Sequence, residues 1–140
     1  MKIFILCHLR EGPFGGGNQF LKALRDEFRK KGLYVENAEE ADIVLFNSFP
    51  MGQIDLFRRT VQTLINKPDI VLVHRIDGPL HLIRGRDKYM DKALYLFNRF
   101  FTNGTVYQSN WSKAQNLKEG LTTPGSSTII TNAQIGRAHV

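Results

Sequence analysis

Three short segments of this 140-residue chain set chemically capable residues at the ends of apolar runs. The first is Arg10-Glu11-Gly12-Pro13-Phe14-Gly15-Gly16-Gly17-Asn18-Gln19-Phe20, with three consecutive glycines just ahead of an amphipathic stretch. Glycine lets a backbone approach a ligand closely, and a helix that starts there bares amides at the positive end of its dipole. That suits a phosphate, which makes Gly15, Gly16, Gly17 and Asn18 candidate phosphate-binding residues. The alternative is a plain strand-to-helix turn, which needs only one or two glycines. Two better-known phosphate loops are excluded. Gly12 and Gly17 have P-loop spacing, but Asn18 and Gln19 stand where Lys and Ser or Thr are required. A dinucleotide fingerprint fails because Phe20, not Gly, follows three residues after Gly17.

The second segment is His74-Arg75-Ile76-Asp77-Gly78-Pro79. An imidazole, a guanidinium and a carboxylate at one strand end can orient hydroxyls and stabilise phosphate charge. His74 and Asp77 are therefore candidates for orienting substrate, and Arg75 and Gly78 for binding it. The alternative is a core histidine beside a local Arg75–Asp77 ion pair. His81, Arg84, Arg86 and Asp87 continue the polar cluster. In the third segment, Tyr107-Gln108-Ser109-Asn110-Trp111-Ser112-Lys113, Ser109 or Asn110 can cap a helix. Asn110 is also a candidate substrate contact. Trp111 reads as core, with stacking on a ligand as the alternative. One cysteine and no His pair at metal spacing leave no protein-held metal or cofactor expected. Cys7, in an apolar run, reads as a buried, inert thiol.

The elements that must position these segments alternate. Residues 2–8, 41–47 and 69–75 are apolar runs unbroken by polar alternation, the pattern of strands covered on both faces. Residues 100–107 read as a further strand, 34–36 as a short one, and 128–131 as the start of a last one. Apolar spacings of three and four predict helices over 18–31, 53–65, 87–98 and 110–119. The order argues for an α/β fold: a Rossmann-like, doubly wound parallel sheet with helices on both faces. Ligands of such sheets bind outside the carboxyl ends of the strands, where all three segments fall.

Composition is that of a globular domain, 42% hydrophobic and 23% charged, and no apolar run is long enough to span a membrane. With no secretory signal, a cytoplasmic protein is expected. Nineteen Lys and Arg against thirteen Asp and Glu give +6. This reads as solvated helix faces (Lys22, Arg25, Arg29, Lys30, Lys31) or as a surface for anionic ligands, peripheral membrane contact included. Aromatic and basic residues do not interleave at one site, so no nucleic-acid partner is expected. The last six residues, Ile135-Gly136-Arg137-Ala138-His139-Val140, back-translate to a string resembling a sequencing-library adapter. They are set aside as an artefact, leaving one domain over residues 1–134 and implying a gene that continues past Gln134.

In this order, the motifs resemble the N-terminal domain of family 4 glycosyltransferases (glycosyl transferases group 1). Gly15-Gly16-Gly17-Asn18-Gln19-Phe20 is similar to the family's Gly-rich loop. His74-Arg75-Ile76-Asp77-Gly78-Pro79 is similar to the H-R-x-D-G-P of one branch, and Tyr107 to Ser112 to its Q-S-x-[WF]-S/T step. Thr128 to Ala133 resembles the strand before the crossover, with Ala133 in place of the usual Gly. The likeness covers about residues 2–133. It implies half of a GT-B architecture: two Rossmann-like domains that move a sugar, with retention, from a nucleotide-diphosphate-sugar to a carbohydrate or lipid-linked acceptor. The N-terminal domain shapes the acceptor site while its Gly-rich loop reaches the donor diphosphate. A C-terminal domain carrying Glu-x7-Glu grips the nucleotide; it has no counterpart in this chain, so the chain alone is expected to be inactive. The competing expectation is a small flavodoxin-like or receiver-like binding module. A receiver would cluster acids after the first strand, where His8 and Arg10 stand instead.

Overall fold

The structure, a computed structural model, describes residues 1–7, 9, 16–47, 54–86, 88–121 and 125–131. Five parallel strands, β1 (Ile3–Leu6), β2 (Ile43–Asn47), β3 (Val71–Ile76), β4 (Gly104–Tyr107) and β5 (Ser126–Ile129), lie side by side in that order. The register runs Ile5–Leu45–Val73–Gly104–Ser126 across the sheet. Tyr34 adds a single parallel bridge to Ile3, on the edge of β1 away from β2. The chain therefore leaves β1 in one direction through α1 (Gly16–Lys30) to reach Tyr34. It then returns through a short 3-10 turn (Ala38–Glu40) to β2 on the other side. That reversal makes the sheet doubly wound and puts the topological switch point between the carboxyl ends of β1 and β2.

Right-handed crossovers in opposite directions send helices to opposite faces. On one face α1 packs Phe20, Leu21, Leu24 and Phe28 against Ile5, Leu45 and Val73. On the other lie α2 (Ile54–Asn66), α4 (Lys88–Phe101) and α5 (Asn110–Lys118). There Phe4, Leu6, Val44, Phe46 and Leu72 meet Leu56, Phe57, Leu64 and Phe97, and Ile76 and Tyr107 meet Leu94 and Tyr95. The fold is the Rossmann-like α/β arrangement that the apolar runs imply. Among the described residues, no helix is long and apolar enough to cross a membrane.

Three local readings change. The glycines do not all precede the helix, because Gly16 and Gly17 form its first turn. Phe100 and Phe101 belong to α4 rather than to a strand, which begins only at Gly104. Phe101 stacks on Phe97 one helical turn away, with centroids 5.6 Å apart, and Thr102 Oγ1 donates to the Asn98 carbonyl at 2.6 Å. Finally, a short helix α3 (Leu80–Arg84) follows Pro79. Its first amides, of Leu80 and His81, donate to the Asp91 carboxylate at 2.7 and 3.0 Å, so its cap comes from the next helix.

Candidate functional site

The site is built where the switch point puts it. β2 ends on Asn47 and β3 reaches Arg75, register neighbours whose side chains share the α1 face of the sheet. Arg75 Nη1 donates to Asn47 Oδ1 at 2.8 Å and to Asp77 Oδ1 at 2.9 Å. Its guanidinium carbon lies 4.4 Å from the centroid of the Phe20 ring, in α1. Gly17 in the first turn of α1 is close by: a side-chain carbon added there would meet Arg75 Nη1 and Asn47 Nδ2, each at 3.9 Å. The amino end of α1 and the guanidinium thus converge on one spot beyond the strands.

Arg75 is only 1% exposed, whereas the Asp77 side chain is 30% exposed. Burial lowers the guanidinium pKa from its ordinary value, and Asp77 opposes that shift. A cation out of water beside the positive end of a helix needs negative charge near it. Asp77 supplies part of that charge, and the location suits a further anion. The local Arg75–Asp77 ion pair, left open as an alternative on the sequence, is present. It coexists with the helix end and does not replace it.

His74 requires a correction. Strand side chains alternate between faces, so His74 points away from Arg75 and into the layer of α4. It is fully buried, edge-on to Phe97 at 5.5 Å and 3.2 Å from Asn98 Nδ2 through its Nδ1. Asn98 Nδ2 also donates to Thr105 Oγ1 at 2.9 Å. His74 is a core histidine in a polar bridge between β3, β4 and α4, and it does not reach the site.

The loop after β3 is pinned from α5. Ser109 caps that helix by accepting from the Ser112 amide at 3.0 Å. Ser112 Oγ then donates to the Ile76 carbonyl at 3.1 Å, and Asn116 Nδ2 to the Asp77 carbonyl at 2.8 Å. Trp111 is half-exposed rather than core. Its ring covers Gly78, where an added side-chain carbon would stand 2.3 Å from Trp111 Cζ3 and 3.3 Å from Ile83 Cδ1. Gly78 therefore acts by leaving room for the indole. Asn110 is exposed on the first turn of α5 at the same carboxyl edge.

Of the residues expected from sequence, Gly17, Arg75 and Asp77 come together, Gly16 opens the same turn of α1, Gly78 and Asn110 flank them, and His74 does not belong. Asn18 lies half-buried in the first turn of α1, and Gly15 falls outside the described residues. Asn47 and Phe20 are additions. Asn47 breaks the apolar run Ile43–Phe46 with a polar residue at a strand end, a signal present in the sequence. Phe20 carried no signal beyond core spacing. No protein-family model, no curated protein and no solved structure matches this chain.

Proposed function

We propose that the chain is the acceptor-side, Rossmann-like domain of a glycosyltransferase that moves a sugar from a nucleotide-diphosphate-sugar to an acceptor hydroxyl. One observation carries this reading: the amino end of α1 and Arg75 meet at the switch point, within reach of Gly17. The departing nucleoside diphosphate gains negative charge in the transition state. Amides fixed at a helix start, with a guanidinium behind them, stabilise that charge without reorganising. Asp77 at the open edge accepts from a sugar or acceptor hydroxyl, and the Trp111 ring offers the flat apolar surface on which a pyranose packs. In this reading a second domain would grip the nucleotide and complete the cleft.

The test is direct. Calorimetric titration of the chain with pyrophosphate, the part of the donor this half is proposed to meet, should give saturable binding. Gly17→Ala, with 3.9 Å of clearance, should retain it. Gly17→Leu should weaken it by about tenfold or more, the cost of losing about 1.4 kcal/mol. No binding of pyrophosphate, or equal binding by Gly17→Leu, would remove the basis of the proposal. Reading the DNA downstream of Gln134 separates the alternatives. A second domain with Glu-x7-Glu supports the transferase, and an immediate stop supports a small binding module.

A further inference from the structure

The layer formed by α2, α4 and α5 carries large apolar side chains on its outside. On α4, Tyr89, Leu96 and Phe100 are 75%, 55% and 67% exposed. At 3.6 residues per turn they fall within about 40° of one another around the helix axis. Asp91, Leu94 and Asn98, on the opposite side, are buried. Lys88, Lys92 and Arg99 are exposed along the adjoining arc, and α4 presents no acidic side chain there.

The ridge extends sideways onto α2. Phe57 of α2 lies 5.8 Å from Phe97 of α4, so that flank of α2 faces α4. Ile54 and Ile65, both exposed, fall next to Phe57 around the helix, with exposed Arg58 just beyond them. The one exposed carboxylate of α2, Asp55, lies farther round. By contrast, three of the four basic residues of α1 are tied locally: Arg29 to Glu36 at 2.8 Å, Lys30 to Glu27 at 3.3 Å and Arg25 to Asp26 at 3.4 Å.

We propose that this ridge docks the protein onto the surface of an anionic phospholipid bilayer. Tyr89, Leu96, Phe100, Ile54 and Ile65 would enter the boundary between headgroups and acyl chains, and Lys88, Lys92, Arg99 and Arg58 would meet lipid phosphates. An apolar strip bordered by cations on both sides complements a surface that is apolar inside and negative outside. The proposal does not rest on sugar transfer and stands or falls separately from it.

The chain is sedimented with vesicles of phosphatidylcholine alone and of equimolar phosphatidylcholine and phosphatidylglycerol. Binding is expected only to the anionic vesicles, and it should fall as sodium chloride is raised. Lys92→Gln with Arg99→Gln should weaken it about 30-fold, at about 1 kcal/mol per charge. Leu96→Gln with Phe100→Gln should abolish it, whereas Lys30→Gln with Lys31→Gln at the carboxyl end of α1 should leave it unchanged. These side chains are exposed, and circular dichroism checks that each variant folds. Absence of binding, salt-insensitive binding to both vesicle types, or α4 variants that bind like the parent would overturn the proposal. So would a velocity run in which the Leu96 and Phe100 changes abolish only self-association.

Discussion

Arg75 and Asp77 divide their work unevenly, because one is sealed from water and the other is not. Removing the carboxylate takes a charge partner from a buried cation that keeps its bond to Asn47; removing the cation leaves a carboxylate that water can still reach. Asp77→Asn is therefore expected to destabilise the fold by about 3 kcal/mol, at the low end for breaking a buried pair because Asp77 is partly solvated. The same change creates a sharper test of the site. With its carboxylate gone, the spot is more positive, so pyrophosphate should raise the melting temperature of the variant more than that of the parent. Sodium chloride at equal ionic strength is the control. An equal response of both proteins to pyrophosphate would show that no anion reads that charge. The sequence shows Arg75, Asp77 and the glycines, because residues at strand ends are legible as soon as the strands are. It does not place Asn47 beside Arg75, which requires the register of two strands. Nor does it exclude His74, whose side of the sheet follows from strand alternation only once the strand is anchored.

At the scale of elements, α4 and α5 meet through Tyr95, whose hydroxyl donates to Asn116 Oδ1 at 2.9 Å. Asn116 in turn holds the Asp77 carbonyl, so this contact positions the loop after β3. Burial raises the Tyr95 phenol pKa above its ordinary value of 10.0, with Asp91 and Glu119 adding to the shift. A group whose folded pKa is raised contributes stability that is present below the unfolded value and lost as pH climbs past it. The fold should thus lose up to about 1.4 kcal/mol per pH unit above pH 10 from this residue. Tyr95→Phe should remove that alkaline slope while costing about 1–3 kcal/mol at neutral pH, because Asn116 Oδ1 loses its donor. Denaturant titrations at neutral and alkaline pH measure both, and an unchanged slope would refute the role given to the phenol. Strands and long helices were legible here because runs such as Ile43-Val-Leu-Phe allow little else. The end of α4 was not: Phe100 and Phe101 favour strands in isolation, whereas the stack of Phe101 on Phe97 and the Thr102–Asn98 bond support the helix there. Helix α3 was not visible either, since five residues hardly sustain a helix and its cap, Asp91, lies in another one.

Across the whole molecule, stability should grade from one side of the sheet to the other. β2 and β3 each have two hydrogen-bonded neighbours, and Val44, Phe46, Leu72 and His74 are buried under the three-helix layer. β5 is bonded on one side only among the described residues, and Ser126, Ser127 and Thr128 are exposed. On the α1 face, an apolar groove of about 200 Å³ opens beside that helix over Leu45, Val73, Val106 and Ile130. β5 therefore has little apolar burial to resist local opening. Native-state hydrogen exchange should show β5 amides exchanging through local opening, orders of magnitude faster than those of Val44, Leu45 and Val73, which should exchange only on global unfolding. The candidate site lies toward the protected side, at the ends of β1 to β3, so its geometry should persist while the far edge opens. Equal protection in β5 and β2 would mean that the sheet opens as one unit and that the site shares the fate of its weakest strand.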